Sequence, residues 1–229
     1  MTNIQSTLNL ARRHQFGVLF VLLFCVILIP PYFENTPWIG SFWRVLFTLV
    51  LLWSLYAIGG SRNVVVLAVL FLIPTLLSTW MAGSLAQRYL FYIDNITNIA
   101  YFSLVCYLLA RHILSARSVT LEVIFASMCL YVILAVLWGA IYANLYMYYD
   151  GSFTFYGLSA GEAGLDKEDL FQYMTYYSFV TLSTLGYGDI IPVHQVAQNW
   201  AAVEAMIGQF YIAIVIARLV SLYTIDETR

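Results

Sequence analysis

Six stretches of the chain are apolar enough to leave water, and short polar segments separate them. They cover 16–29, 42–58, 64–81, 96–109, 119–149 and 200–223. A helix rises about 1.5 Å per residue, so each stretch crosses all or most of a hydrocarbon core about 30 Å thick. The first and the fourth need a few flanking residues to do so. Pro30 and Pro31 close the first, Gly59-Gly60 ends the second, and Pro74 predicts a kink in the third. A seventh stretch, 170–183, is too short to span. Its aromatics and hydroxyls predict a re-entrant helix buried in protein. Asp166 and Asp169 favour its N-terminus, and its C-terminal end presents the negative pole of the helix dipole to whatever follows. Residues 150–169 are polar and dotted with glycine, and read as a loop.

Composition agrees with this picture. Of 229 residues, 62% are hydrophobic and 10% are charged, against about a quarter charged in a soluble domain. The chain reads as a multi-span membrane protein. Its net charge of −2 argues against nucleic acid as a partner. Cys25, Cys106 and Cys129 all lie in apolar runs, without metal-site or disulfide spacing, which assigns them to packing. The first apolar run is followed by Pro30-Pro31-Tyr32 and not by a small-residue cleavage site, so no cleavable leader is expected.

Charge sets the expected orientation. With six crossings, Arg12, Arg13, Arg62, Arg111, Arg117, Arg218 and Arg229 fall on one side, and Arg44, Arg88 and Lys167 on the other. Both termini are therefore expected in the cytoplasm. The opposite side carries Glu34, Asp94, Asp150, Glu162, Asp166, Glu168, Asp169 and Asp189, which either attract cations or simply solvate loops. Asn95-Ile96-Thr97 matches a glycosylation acceptor, although close to the membrane.

The chemistry concentrates in Thr184-Leu185-Gly186-Tyr187-Gly188-Asp189. Gly-Tyr-Gly-Asp alone is the composition of a tight turn. Here it is preceded by Thr181-Leu182-Ser183 and lies between the short polar-aromatic stretch and the last apolar one. In that setting it resembles the selectivity filter of the tetrameric potassium-channel family. A filter needs successive backbone carbonyls on one side of an extended strand, which asks for positive φ at every second residue. Gly186 and Gly188 have that spacing, and glycine takes positive φ without steric cost.

The order of apolar stretch, re-entrant helix, filter and apolar stretch resembles the family's pore module over roughly 110 residues, including features of its small prokaryotic-type members. The resemblance implies potassium ions at Thr184, Leu185, Gly186 and Tyr187, Gly188 completing the strand, and Asp189 at the mouth. Leu185 stands where the family usually has valine. Tyr176 and Tyr177 match a pair of aromatics that cuff the filter, with Tyr176 in reach of Asp189. Val180 stands where some members carry a glutamate that pairs with that aspartate. Gly208 matches the hinge glycine of the inner helix, or else marks a close helix contact. The lower half of that helix is expected to form the inner gate. Glu204 is ionisable inside an apolar helix. With no obvious cation, it is read as filter support satisfied by hydroxyls such as Ser178 or Thr181.

Four helices ahead of a pore module also resemble the six-helix voltage-gated channels, yet 95–110 contains no Lys or Arg. Weak or absent voltage dependence is expected. Residues 111–122 are expected to form an amphipathic connector along the inner membrane face. No soluble ligand-gating domain is expected after Tyr223, and His194 is either an external pH sensor or a plain loop histidine.

The expected protein is an all-α membrane homotetramer with six transmembrane helices, a short re-entrant pore helix and an extended filter. Its parts are a cytoplasmic N-terminus (1–15), a four-helix voltage-sensor-like domain without the arginine series (16–110), a connector (111–118), a pore domain (119–225) and a short cytoplasmic tail (226–229). Membrane lipid and three identical subunits are its expected partners, and potassium in the filter its only bound group. It is placed in the cell membrane as a passive potassium channel. A less selective cation channel and a non-conducting scaffold subunit are the alternatives. No His-Glu-x-x-His or Gly-x-Ser-x-Gly pattern points to an enzyme.

Overall fold

Each apolar stretch forms a helix, because a helix lets a single stretch satisfy its own backbone groups away from water. The structure, a computed structural model, describes residues 14–33, 38–59, 62–80, 87–156 and 167–227. In order these are α1 (Gln15–Leu28), a 3-10 turn (Pro30–Phe33), α2 (Ile39–Ile58), α3 (Arg62–Trp80), α4 (Gln87–Ser115), α5 (Leu121–Tyr148), β1 (Phe153–Phe155), α6 (Lys167–Leu182), β2 (Ile190–Pro192) and α7 (Gln195–Glu227). Arg12, Arg13, Glu34, Glu162, Asp166 and Arg229 lie outside the described residues, as do the side chains of Arg88, Asp94, Asn95, Lys167 and Glu168.

Gly40–Ala57, Ile96–Ser115, Leu121–Tyr148 and Gln195–Ser221 are long and apolar enough to cross a membrane. Gln15–Leu28 and Arg62–Leu77 are apolar but shorter. The first is stopped by Pro30-Pro31, while α3 runs through Pro74 uninterrupted.

One end of the bundle is fixed by hydrogen bonds between helix termini. Trp53 Nε1 donates to the Gln15 carbonyl at 2.9 Å, and Phe16 N donates to Glu122 Oε2 at 3.2 Å. Arg218 Nη2 donates to the carbonyls of Leu114 (3.2 Å) and Ala116 (2.9 Å). The starts of α1 and α5, the ends of α2 and α4 and the late part of α7 therefore share one level. Arg111, Arg117 and Arg218 gather there, as the charge count anticipates.

The separate amphipathic connector expected over 111–122 does not form. Helix α4 runs on to Ser115 with Ile113 buried, which places the expected 110/111 boundary inside that helix. No Pro or Gly lies between 87 and 115 to stop it. Only 116–120 separate it from α5, where Thr120 Oγ1 accepts from Val123 N at 3.3 Å and Glu122 occupies the first turn.

The larger core joins α1, α2, α4 and α5 through Phe16, Leu19, Phe47, Leu51, Tyr101 and Ile133, among others. Within it, Tyr101 OH donates to the Leu51 carbonyl at 2.6 Å and meets Ser54 Oγ at 2.8 Å. All three cysteines are free, and Cys129 Sγ approaches the Phe16 carbonyl at 3.4 Å, in keeping with packing.

A second core at the other end holds Trp138, Tyr142, Phe153, Leu170, Met174 and Tyr177. Helix α6 lies close on α5 at Gly139, where a Cβ would stand 2.6 Å from Thr175 Oγ1 and 2.8 Å from its Cα. The fold is not purely helical, because β1 pairs antiparallel with β2 in the register Phe153↔Pro192 and Phe155↔Ile190.

Candidate ion-conduction site

Residues 183–189 form a turn followed by an irregular strand-like segment between the end of α6 and β2. The helix end hands its free carbonyls to this segment. Ser183 N donates to Phe179 O at 3.1 Å, and Thr184 N to Thr181 O at 2.9 Å. Leu185 N and Gly186 N both donate to Val180 O, at 2.9 and 3.3 Å. The carbonyls that would aim the helix dipole along the strand are thus the ones that anchor it.

The backbone then alternates in hand. Gly186 has φ +62° and Gly188 +79°, at the positions where the sequence called for them. Thr184 joins the series with φ +58°, the only non-glycine positive φ among the described residues. A β-branched residue in this region is an outlier that surrounding structure must hold in place. Alternating hands turn successive carbonyls to one side of the strand. All of 184–188 are exposed, Leu185 at 55% and Tyr187 at 66%.

The C-terminal end of the segment is clamped at Asp189. Its Oδ2 accepts from Tyr176 OH at 2.5 Å and its Oδ1 from Ile190 N at 3.0 Å. Its carbonyl accepts from Tyr156 N at 2.7 Å, continuing the β1–β2 ribbon. The hydrogen bond to Asp189 comes first among the causes that push the Tyr176 phenol up to about 12. The pairing of Tyr176 with Asp189 is as anticipated, but the tyrosine pair does not act as one cuff. Tyr177 is buried and packs instead on Tyr142 (5.0 Å, 74°) and Phe153 (5.4 Å, 74°). Adjacent helical residues point about 100° apart, so only one of the two faces the strand.

Behind the strand, Glu204 on α7 is fully buried. Its Oε2 accepts from Tyr142 OH of α5 at 2.6 Å, and its Oε1 accepts from Ser178 Oγ of α6. One carboxylate thereby joins three helices. Of the two anticipated partners, Ser178 and Thr181, it is Ser178 that bonds, whereas Tyr142, inside the longest apolar run, gave no signal of this role.

Gly208 faces the end of α6. A Cβ there would run into the Leu182 carbonyl, with Leu182 C at 3.0 Å. Helix α7 continues through this position, so the glycine serves a close helix contact. Beside it, Gln209 Nε2 donates to Thr184 Oγ1 at 3.2 Å. His194 stacks on Tyr149 at 4.3 Å, and its Nδ1 accepts from Val196 N at 3.2 Å. It caps the start of α7.

Sequence reasoning missed the strain at Thr184, the bonds from Tyr142 and Gln209, and the ribbon holding Asp189. The signal for the ribbon was faint: two three-residue strands, Phe153–Phe155 and Ile190–Pro192, far apart in the chain.

Residues 118–224 match the model of a family described as ion channel. No curated protein matches the chain. The matched segment contains α5, α6, the alternating strand and most of α7, so the family and the geometry meet over the same residues. Over that segment, just under half of its length, this membrane protein is similar to the ion-channel family, which is not an enzyme class.

Proposed function

We propose that the protein is a potassium-selective channel that passes the ion passively through backbone carbonyls of 184–188. The observation that carries this reading is the positive φ at Thr184, Gly186 and Gly188 in alternation. It is the backbone form that presents a row of carbonyls to a dehydrated cation. The Thr184 hydroxyl extends the row inward, and Asp189 places a carboxylate at the mouth.

One strand cannot surround an ion, so four copies about a common axis are required. The α7 surface supports assembly: only 11% of its 27-residue apolar window is buried within the chain, leaving a long face for lipid and for neighbouring copies. In this arrangement α1 to α4 are four further membrane helices, both termini face the cytoplasm, and the protein resides in the cell membrane.

The test is potassium flux into liposomes holding the purified protein, with reversal potentials under mixed sodium and potassium. Gly186→Ala should abolish flux in a protein that still assembles, because alanine resists a φ of +62°. A reversal potential that ignores the potassium gradient would overturn potassium selectivity. It would favour a less selective cation channel, a reading that Val180 supports, since no side-chain carboxylate there braces Asp189. An assembled protein silent to every cation would point to a non-conducting subunit.

A further inference from the structure

A cavity of about 710 Å³ opens where the start of α1, the ends of α2 and α4 and the start of α5 meet. That is within the usual size of a ligand pocket, about 300–1,000 Å³. Its walls differ in character. Phe16, Leu108 and Val123 give it an apolar side. Arg111 and Arg117 give it a cationic one, and both residues are exposed. Neither guanidinium has an ion pair or hydrogen bond among the described residues.

The cavity has one acid, Glu122, with one carboxylate oxygen hydrogen-bonded and the other buried without a hydrogen bond. Oε2 accepts from Phe16 N at 3.2 Å, at the positive end of α1, and Oε1 faces His14 Nδ1 at 3.7 Å. His112 lines the same space, with its ring 4.9 Å from Phe16. Two unpaired arginines against a single carboxylate leave the cavity with an excess of positive charge that suits an anion.

From this geometry we infer that the cavity binds the phosphate-bearing headgroup of an anionic membrane lipid. Guanidinium groups match phosphate oxygens with paired hydrogen bonds. The apolar wall accommodates the glycerol end of an acyl chain, which a soluble phosphate does not need. Leu114 and Leu121, flanking the connection, are 58% and 69% exposed. Apolar side chains so exposed at the ends of spanning helices mark the level where headgroups meet acyl chains. Assigning this end to the inner leaflet rests on the proposed topology, but the binding itself does not.

The test is lipid retention, measured by native mass spectrometry on the full-length protein from nanodiscs with equal phosphatidylglycerol and phosphatidylcholine. The protein should retain phosphatidylglycerol preferentially. Arg111→Gln with Arg117→Gln should cut that preference about thirtyfold, roughly fivefold per arginine. Arg111→Lys with Arg117→Lys should keep most of it, and Arg44→Gln, in α2, should leave it unchanged. If the glutamine pair fails to fold, loss of preference in each single glutamine variant decides the matter. Equal retention of the two lipids by the parent protein would overturn the inference. So would an unaltered preference in the glutamine variants, or displacement of the lipid by inorganic phosphate at equal concentration. None of these readouts depends on ion flux, so a failed channel assignment and a failed lipid site are told apart.

Discussion

Thr184 is in a backbone region that β-branched residues avoid, at a cost of about 1–3 kcal/mol. A turn alone would be better served by glycine, so the hydroxyl is what justifies the threonine. Thr184→Gly should therefore give a thermal midpoint no lower than the parent's while potassium selectivity over sodium falls several-fold. Thr184→Ser, which keeps the hydroxyl, should keep the selectivity. A glycine variant with unchanged selectivity would remove the hydroxyl from the conduction path. Glu204 is a different case. Its carboxylate accepts from Tyr142 and Ser178, both on other helices. Glu204→Leu strands two buried hydroxyls, at about 1–3 kcal/mol each. It should lower the thermal midpoint of the purified protein clearly, whereas Glu204→Gln, which still accepts, should change it little. Equal losses in the two variants would show that shape and not hydrogen bonding makes the joint.

At the scale of elements, two contacts tie α7 to the remainder of the chain by different means. Midway along it, Gly208 lets the helix backbone reach the Leu182 carbonyl, so α7 bears directly on the base of the 184–188 segment. Near its C-terminal end, Arg218 donates to Leu114 and Ala116, the carbonyl-rich end of α4. A gate in the lower half of α7 would thus move against α4. Hydrogen bonds from a charged donor are worth about 1.5–3 kcal/mol when buried, and less at this partly exposed site. Arg218→Gln should shift the open-to-closed ratio in single-channel records by about fivefold and leave the reversal potential where it was. A variant with parental open probability would place the gate elsewhere, at the strand itself.

At the scale of the molecule, the legible parts were those that depend on local pattern. Apolar runs gave the helices, and Gly186 and Gly188 gave the strand's hand. The unread parts depend on which residues meet across helices. Tyr142 gave no sign of facing Glu204 because 62 positions separate them and the run around Tyr142 is predominantly apolar. The start of the connector was unread because the boundary at 110/111 gave no sign that Ile113 is committed to the core of α4. That continuity bears on voltage. Within α4, residues 96–110 carry no Lys or Arg, and Arg111 follows only where the helix meets the cavity at the bundle's end. A charge at that level crosses little of the field. One elementary charge moved fully across 100 mV does about 2.3 kcal/mol of work, enough to change an open-to-closed ratio about fiftyfold. The conductance measured from −100 to +100 mV should therefore change far less steeply than one charge per channel requires. Arg111→Gln should leave that slope as it is. A sigmoidal activation curve equivalent to several charges would mean that α1 to α4 sense voltage through groups other than a basic series.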